Sequence, residues 1–599
     1  MTESFRSGAI SRRTFVTGVG AGAALLGLPQ RPLSASSAVS PAEVLSGHQF
    51  NLSIGYRRVN FTGSERQAVT VNGSLPGPIL RWREGDTVTL NVRNQLARAS
   101  SLHWHGIRVP SDMDGVPGLS FSGIEPGQTF RYRFPIRQSG TYWYHSQSGF
   151  QEQQGLYGAI VIDPASPEPF ASDRDYVVVL SDWSNEPPQA IYTNLKKDPH
   201  YYNRQQRTAA DLWREVRANG VARTWRDRHP RNWAQVSDRD IAHVTGETYT
   251  YLINGQTPDA NWSALFKPGE KIRLRFINAA SMTLFDLHIP ALKMRVIAAD
   301  GQNIEPVSVD EFRIGTGETY DVIVEPKGDR AYTLFAQTMD RSGYARGTLT
   351  ADVNLSAQIP PMDHRPMFTP QDLGLTERPT ATTADNKYKT AKVGHSDTES
   401  DPPTAVAGGW YYGNLAAAGL GSNAPIAHQP SEFGYSVDSR AASPANGLTD
   451  PGIGMRNHMR RYNRRVLTYA DLRKLKPSRD RRQPERELQL HLTGNIDRYM
   501  WSINGEKPRN ADPLLLRHGE RLRITLVNDT TFVQPIHLHG LWSELETGDG
   551  QHLPNKHTIL VQAGSTISYL VSADTYGRWA LQCQMLYQRP GMFREVRIV

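Results

Sequence analysis

Two short histidine pairs carry the clearest chemistry in this chain, His103-Trp104-His105-Gly106 and His537-Leu538-His539-Gly540. In a strand, residues two apart point to the same face, so each pair presents two imidazoles side by side. Imidazole nitrogen is a good donor for first-row transition metals, so the pattern points to metal chemistry. Two further stretches hold candidate ligands: His145-Ser146-Gln147, which starts five residues after Gly140, and Gln582-Cys583-Gln584, which starts five after Gly577. Cys583 is the only cysteine among 599 residues, which excludes an intramolecular disulfide and any zinc or iron–sulfur site built from several thiolates.

A threefold repeat places these residues. Asn-Gly, then a Gly-acid pair, an alternating strand and an Asn recur from Asn72 through Gly85 to Asn94, from Asn254 through Gly269 to Asn278, and from Asn504 through Gly519 to Asn528. The Gly-to-Asn interval is nine residues in each copy, and His103 and His537 lie nine residues beyond Asn94 and Asn528. In the middle copy the same offset falls on Leu287, with Ile289 two further, so no histidine pair stands there. Asn-Gly suits a tight hairpin turn, and runs such as Thr87-Val88-Thr89-Leu90 alternate with the period of a half-buried strand. The repeat therefore predicts an all-β chain of three homologous sandwiches, at about residues 48–168, 172–355 and 484–599. Residues 356–483, rich in Pro, Ser, Thr, Ala and Gly up to about residue 465, read as a long, partly disordered connection. Residues 190–240 lack alternation and add helical or irregular structure to the second domain. If the outer domains face each other, their four motifs converge on one inter-domain site.

Composition narrows the class. Lys and Arg number 67 against 59 Asp and Glu, a balance of +8 with no basic stripe interleaved with aromatics, so nothing points to nucleic acid. With 50 Gly and 39 Pro the chain suits a turn-rich protein, not a coiled coil or membrane bundle. Residues 1–40 read as an address: Ser11-Arg12-Arg13-Thr14-Phe15 precedes a short apolar run from Val16 to Leu28 and a small-residue stretch at Ala35–Ala38. The run is too short to span a bilayer. The adjacent arginines resemble a twin-arginine signal, which implies the twin-arginine export machinery and a periplasmic or secreted protein.

The motifs HWHG, HSQSGFQ, QPIHLHGLW and QCQMLYQRPGM resemble the four copper-binding motifs of the multicopper oxidases, and stretches such as MDGVPGLSF, QTMDRSGYARGTL and RRVLTYADLR resemble the family's periplasmic copper-resistance branch. The resemblance implies three cupredoxin-like Greek-key sandwiches. It also implies a copper cofactor, with a type 1 copper taking electrons from a small reducing substrate, cuprous ion or a phenol, and passing them to a trinuclear cluster that reduces dioxygen. By this resemblance His103 and His537 occupy the type 2 positions, and His105, His145 and His539 occupy three of six type 3 positions. Gln147, Gln582 and Gln584 stand at the other three. At the type 1 site Cys583 remains and Met592 is the axial candidate, one residue nearer than usual to the preceding ligand position, while Gln534 and Gln588 replace both equatorial histidines. Asp114 matches the family acid that aids proton delivery.

Five glutamines in place of histidine change the expected chemistry. A neutral amide oxygen is a weak copper donor, tolerated mainly as a long axial ligand. The sequence therefore predicts a type 1 centre that binds copper poorly, fewer than four coppers per chain, and weak or no oxidase turnover. The five remaining histidines could hold one copper well or two loosely. The alternative is a copper-free scaffold that acts through protein contacts, its histidines simply hydrogen-bonded in the core. Met362, His364 and Met367 read as loop residues, and His552 and His557 as surface or packing residues.

Overall fold

The computed structural model describes residues 43–203, 209–222, 224–225, 239–368, 372, 421–422, 424–441 and 444–599. The proposed export signal at residues 1–40 lies outside the described residues, as does the stretch 373–420 of the central connection. No helix among the described residues is long and apolar enough to cross a membrane.

The all-β expectation holds, and the repeat explains how each sandwich is built. In every copy the Asn-Gly pair adopts positive φ at both residues: 51° and 72° at Asn72-Gly73, 49° and 72° at Asn254-Gly255, 57° and 70° at Asn504-Gly505. That is the backbone of a type I′ hairpin, which Asn and Gly tolerate best. Each Asn side chain also pins a neighbouring strand: Ser53, Val179 and His491 donate their backbone N–H to Asn72, Asn254 and Asn504 Oδ1 at 2.8, 2.7 and 2.7 Å. The closing Asn of each copy is equally regular. Asn94, Asn278 and Asn528 donate through Nδ2 to the carbonyls of Ile124, Ile314 and Val561, at 2.7, 3.0 and 3.0 Å. Their Oδ1 atoms accept the amide two residues ahead, which fixes how the chain leaves one sheet to enter the other.

The sheet that receives the chain has the same four-strand order in all three domains, with a further edge strand at opposite ends, Val44–Ser46 in the first and Thr558–Val561 in the third. In the first it runs Val44–Ser46, Gly77–Arg83, Tyr157–Asp163, Gly140–His145, His103–His105, and in the third Leu514–Leu516, Phe593–Ile598, Gly577–Cys583, Gln534–Leu538, Thr558–Val561. Register sets His103 opposite His145, and His537 opposite Gln582 with Ile536 opposite Cys583. In the middle domain Leu287 pairs with Ala336, and both are buried in the core.

The first sandwich has its own core, including Trp82, Leu90, Trp104, Tyr132 and Tyr144. The second and third share one continuous core. Part of the stretch read as a connection belongs to it: Leu448, Ile453, Leu467 and Leu472 are buried there. Ala445–Asn446 adds a parallel strand to Ser565–Ser572, and Val466 and Lys474 bridge to Glu311 and Ile304 of the second sandwich. Residues 444–475 are thus irregular yet packed, a correction to the view of 356–483 as mere connection. Composition missed it because the apolar residues are spaced for contacts with two different domains and not for one periodic face. Residues 190–240 contribute the helices Pro188–Lys197 and Ala209–Asn219, as the lack of alternation predicted.

Candidate metal centre

Strand alternation sends Trp104 into the first core, where it meets Tyr132 edge-on with ring centroids 5.1 Å apart. His103 and His105 consequently project from the opposite face. Leu538 does the same for His537 and His539, buried in the shared core of domains two and three. The two outer sheets bring His103, His105, His145, His537 and His539 together, all 0 or 1% exposed. His103 and His539 lie 4.2 Å apart by ring centroid, and His105 stacks on His537 at 3.8 Å.

The hydrogen bonds divide these histidines into two kinds. His103 donates from Nδ1 to the Asp114 carbonyl at 2.8 Å, His537 to the His557 carbonyl at 2.6 Å, and His539 to Asp114 Oδ2 at 2.9 Å. In all three the buried Nε2 has no hydrogen-bond partner. A ring held through one nitrogen while the other presents its lone pair to a shared space is the arrangement of a metal ligand. Candidate ligand atoms of His103, His537 and His539 lie within 4.8 Å of one another. His105 and His145 differ. His145 donates from Nδ1 to Glu152 Oε2 at 2.9 Å, which leaves its Nε2 to accept from His105 Nδ1 at 3.2 Å, and His105 Nε2 accepts from Thr558 Oγ1 at 2.8 Å. Protein groups engage both of their nitrogens.

Burial lowers the basicity of the group. It holds His105 and His537 well below the ordinary imidazole range, helped by neighbouring histidines, and brings His539 down to about 4 against the opposing pull of Asp114. Neutral rings keep their lone pairs near pH 7. Burial alone would raise the Asp114 carboxyl, but His539 and His103 outweigh it and keep it ionised.

One member of the group was missed. His557 is 1% exposed, its ring centroid 4.8 Å from that of His105, and it forms a further candidate ligand set with His105 and His537. Of the two expectations for His557, surface or packing, the surface one fails: His557 is buried, immediately before Thr558, which pairs with His537 across the sheet. Its Nε2 is also without a partner. The H-x-H spacing gave no signal for it, because it enters the site through strand pairing alone. By contrast, Met362 and Met367 are exposed, and Asp363 is paired with Arg464 at 2.5 Å.

The cysteine pocket has a different character. Cys583 is fully buried, and its thiol donates to Gln534 Oε1 at 3.2 Å, with Gln588 Oε1 at 3.7 Å. Burial pushes the thiol up to about 12. Met592 is buried as well, and its backbone carbonyl accepts the Cys583 N–H at 3.0 Å. Two amide oxygens around a protonated thiol make a poor donor set for copper. Of the other three glutamines, Gln147 and Gln584 sit around a buried ion pair. Arg589 donates to Glu152 Oε2 at 2.9 Å, Gln147 Oε1 at 3.3 Å and the Gln584 carbonyl at 3.3 Å. Gln582, opposite His537, leaves its Nε2 unpartnered.

Multicopper oxidase family models match residues 53–167, 220–354 and 481–599. The chain is 50% identical over 605 aligned residues to copper resistance protein A of Escherichia coli, covering 98% of this chain and 99% of that protein. It is also 50% identical to the copper resistance protein A homolog of Pseudomonas syringae pv. tomato, over 98% and 99% of the two chains. Among solved structures, Fet3p, a multicopper oxidase that functions in iron import, superposes with a TM-score of 0.60 at 16% identity, covering 92% of this chain and 90% of that one, a likeness of cupredoxin-like fold. Three family matches laid over three sandwiches, and near-complete alignment at half identity, leave one conclusion: the chain belongs to the multicopper oxidase family.

Proposed function

We propose that this chain is a periplasmic copper-resistance homologue that binds copper at its inter-domain histidines and has weak or no oxidase turnover. The carrying observation is the contrast between three imidazoles with open Nε2 atoms and a thiol surrounded by amide oxygens. The relatives' names supply the copper-resistance assignment. Arg12-Arg13 and the apolar run after it support export by the twin-arginine route.

His103, His537 and His539 would hold the ion, with His557 beside them. Copper bound there supplies one-electron redox chemistry and an affinity for dioxygen. Asp114 fixes the tautomers of His103 and His539 together, and the His557 carbonyl fixes that of His537. Glu152, itself paired with Arg589, fixes the His145 tautomer, and the His105 Nδ1–H that occupies its Nε2 holds His145 back from metal binding. The path from Cys583 to the histidines is flanked by glutamine on both sides, so electron entry from a cuprous or phenolic substrate is weakened at its first step. The closed hydrogen bonding of His105 and His145 favours, as second reading, a copper-free scaffold working through protein contacts.

Elemental analysis and spin resonance after copper reconstitution separate the two. The expected result is about one copper per chain with no strong absorption near about 600 nm, the band of a short copper–thiolate bond. Less than about a tenth of a copper per chain would establish the scaffold, because open imidazole donors bind copper(II) firmly. A strong band near about 600 nm would overturn the account of Cys583.

A further inference from the structure

A second cluster of metal-ligating side chains lies in the third domain, away from the inter-domain histidines. His428, Glu432, His491 and Asp529 place candidate ligand atoms within 4.8 Å of one another. His491 lies on the strand Arg486–Asn495, and Asp529 follows the parallel strand Arg521–Asn528. Glu432 sits in the short helical turn Pro430–Phe433, just after His428. The segment carrying those two is fastened over the sheet edge: Ser431 donates to the Asn504 carbonyl at 2.7 Å, Ser439 to the Asp529 carbonyl at 2.7 Å, and the Ala441 amide to Asp529 Oδ1 at 2.8 Å.

The four atoms converge. His428 Nδ1 is 2.7 Å from Glu432 Oε2 and 3.8 Å from Asp529 Oδ2, while His491 Nδ1 is 3.4 Å and 2.7 Å from the same two oxygens. Donors bound to one ion at about 2.0–2.1 Å stand roughly 3–3.5 Å apart, and these separations bracket that range. The side chains of His491, Glu432 and Asp529 are 0 or 1% exposed, whereas that of His428 is 20% exposed and opens the cluster to solvent.

Proton bookkeeping points to a cation. Gln489 Oε1 accepts the Ala427 N–H at 2.8 Å, which fixes its amide orientation, so His491 Nε2 at 3.1 Å from the same oxygen must carry a proton. The Nδ1 of a neutral His491 then turns a lone pair toward two carboxylate oxygens, an arrangement that needs a second proton or a metal ion. Glu432 Oε1 is buried with no hydrogen-bond partner. Among the described residues no Lys or Arg forms an ion pair with either buried carboxylate. A ring fixed by a carbonyl oxygen at one nitrogen and offered to a cation at the other is the usual outer support of a metal-bound histidine.

We infer that His428, Glu432, His491 and Asp529 form a second metal site that takes one divalent first-row transition ion. Two imidazoles select against calcium and magnesium, and a set of two nitrogens and two oxygens suits zinc. Gln489 is its positioning residue.

The test uses the full chain, stripped by chelator and titrated with zinc(II) alone. Wild type should bind a zinc equivalent that persists in a His103→Ala/His537→Ala variant and disappears in His428→Ala, whose exposed position spares the fold. Gln489→Leu keeps all four ligands and should weaken zinc about 10- to 100-fold, with unchanged stoichiometry at saturation. His491→Ala should abolish binding, and if it fails to fold, His428→Ala and Gln489→Leu decide. Equal zinc uptake by wild type and His428→Ala, or none by wild type, would overturn the site and leave a network closed by protons.

Discussion

The third-domain half of the histidine group and the cysteine pocket share one pair of strands, Gln534–Leu538 and Gly577–Cys583, yet their donors differ. At the histidine group each of three rings is anchored by a backbone carbonyl or by Asp114 and keeps one lone pair free. In the cysteine pocket the thiol hydrogen is directed at a glutamine oxygen, and Gln534 Nε2 is taken by Thr530 Oγ1 at 3.1 Å. Glutamine fills a volume near that of histidine and still hydrogen-bonds, so the fold tolerates it. Glutamine at such a position offers an amide oxygen in place of an aromatic nitrogen. A site can therefore keep its shape while losing its metal preference.

The largest test of this contrast restores the missing donors. The combined replacements Gln147→His, Gln534→His, Gln582→His, Gln584→His and Gln588→His should bring up the band near about 600 nm and raise dioxygen consumption with cuprous ion or a phenol from background. A colourless, inactive variant would move the blame to the shortened run between Gln588 and Met592. Next in size is Arg589→Met, which strips the buried Glu152 of its cation and leaves it with His145 and the Gln584 amide. Breaking a buried pair in this way should cost about 3–5 kcal/mol in denaturant unfolding. Adding Glu152→Gln should recover much of the loss, and a single variant as stable as wild type would show that this ion pair does not hold the former ligand positions together. The smallest expected effect is that of Gly106→Ala. Gly106 has φ +80°, and a Cβ there would lie 2.2 Å from the His557 ring. The change should destabilise by about 1–3 kcal/mol and lower copper uptake by displacing His557. Unaltered stability and uptake would remove His557 from the histidine group.

Much of the fold could be read from residues 72–94, 254–278 and 504–528, because each repeated Asn performs one geometric task that the backbone dictates locally. The positive φ of Asn72, Asn254 and Asn504, and the amide two residues on that each of Asn94, Asn278 and Asn528 binds through Oδ1, are short-range consequences of sequence. The histidine pairs were legible for the same reason, since alternation along a strand is local. His557 was not: its place depends on the pairing of its neighbour Thr558 with His537, and no spacing in the chain encodes it. Nor were Leu448 and Leu472, whose partners lie in two domains at once.

Sequence alone determined the three β-sandwiches, the family resemblance and the paired histidine donors, because hairpin turns, alternation and side-chain chemistry are properties of a few neighbouring residues. Tertiary structure decided which of those donors stay open. His103 and His539 share Asp114, and the Nε2 of His145 is closed by His105. These bonds cross from loop to strand, from strand to strand and from domain one to domain three, and a hydrogen-bonding atom can be committed only once its partner has been brought within reach.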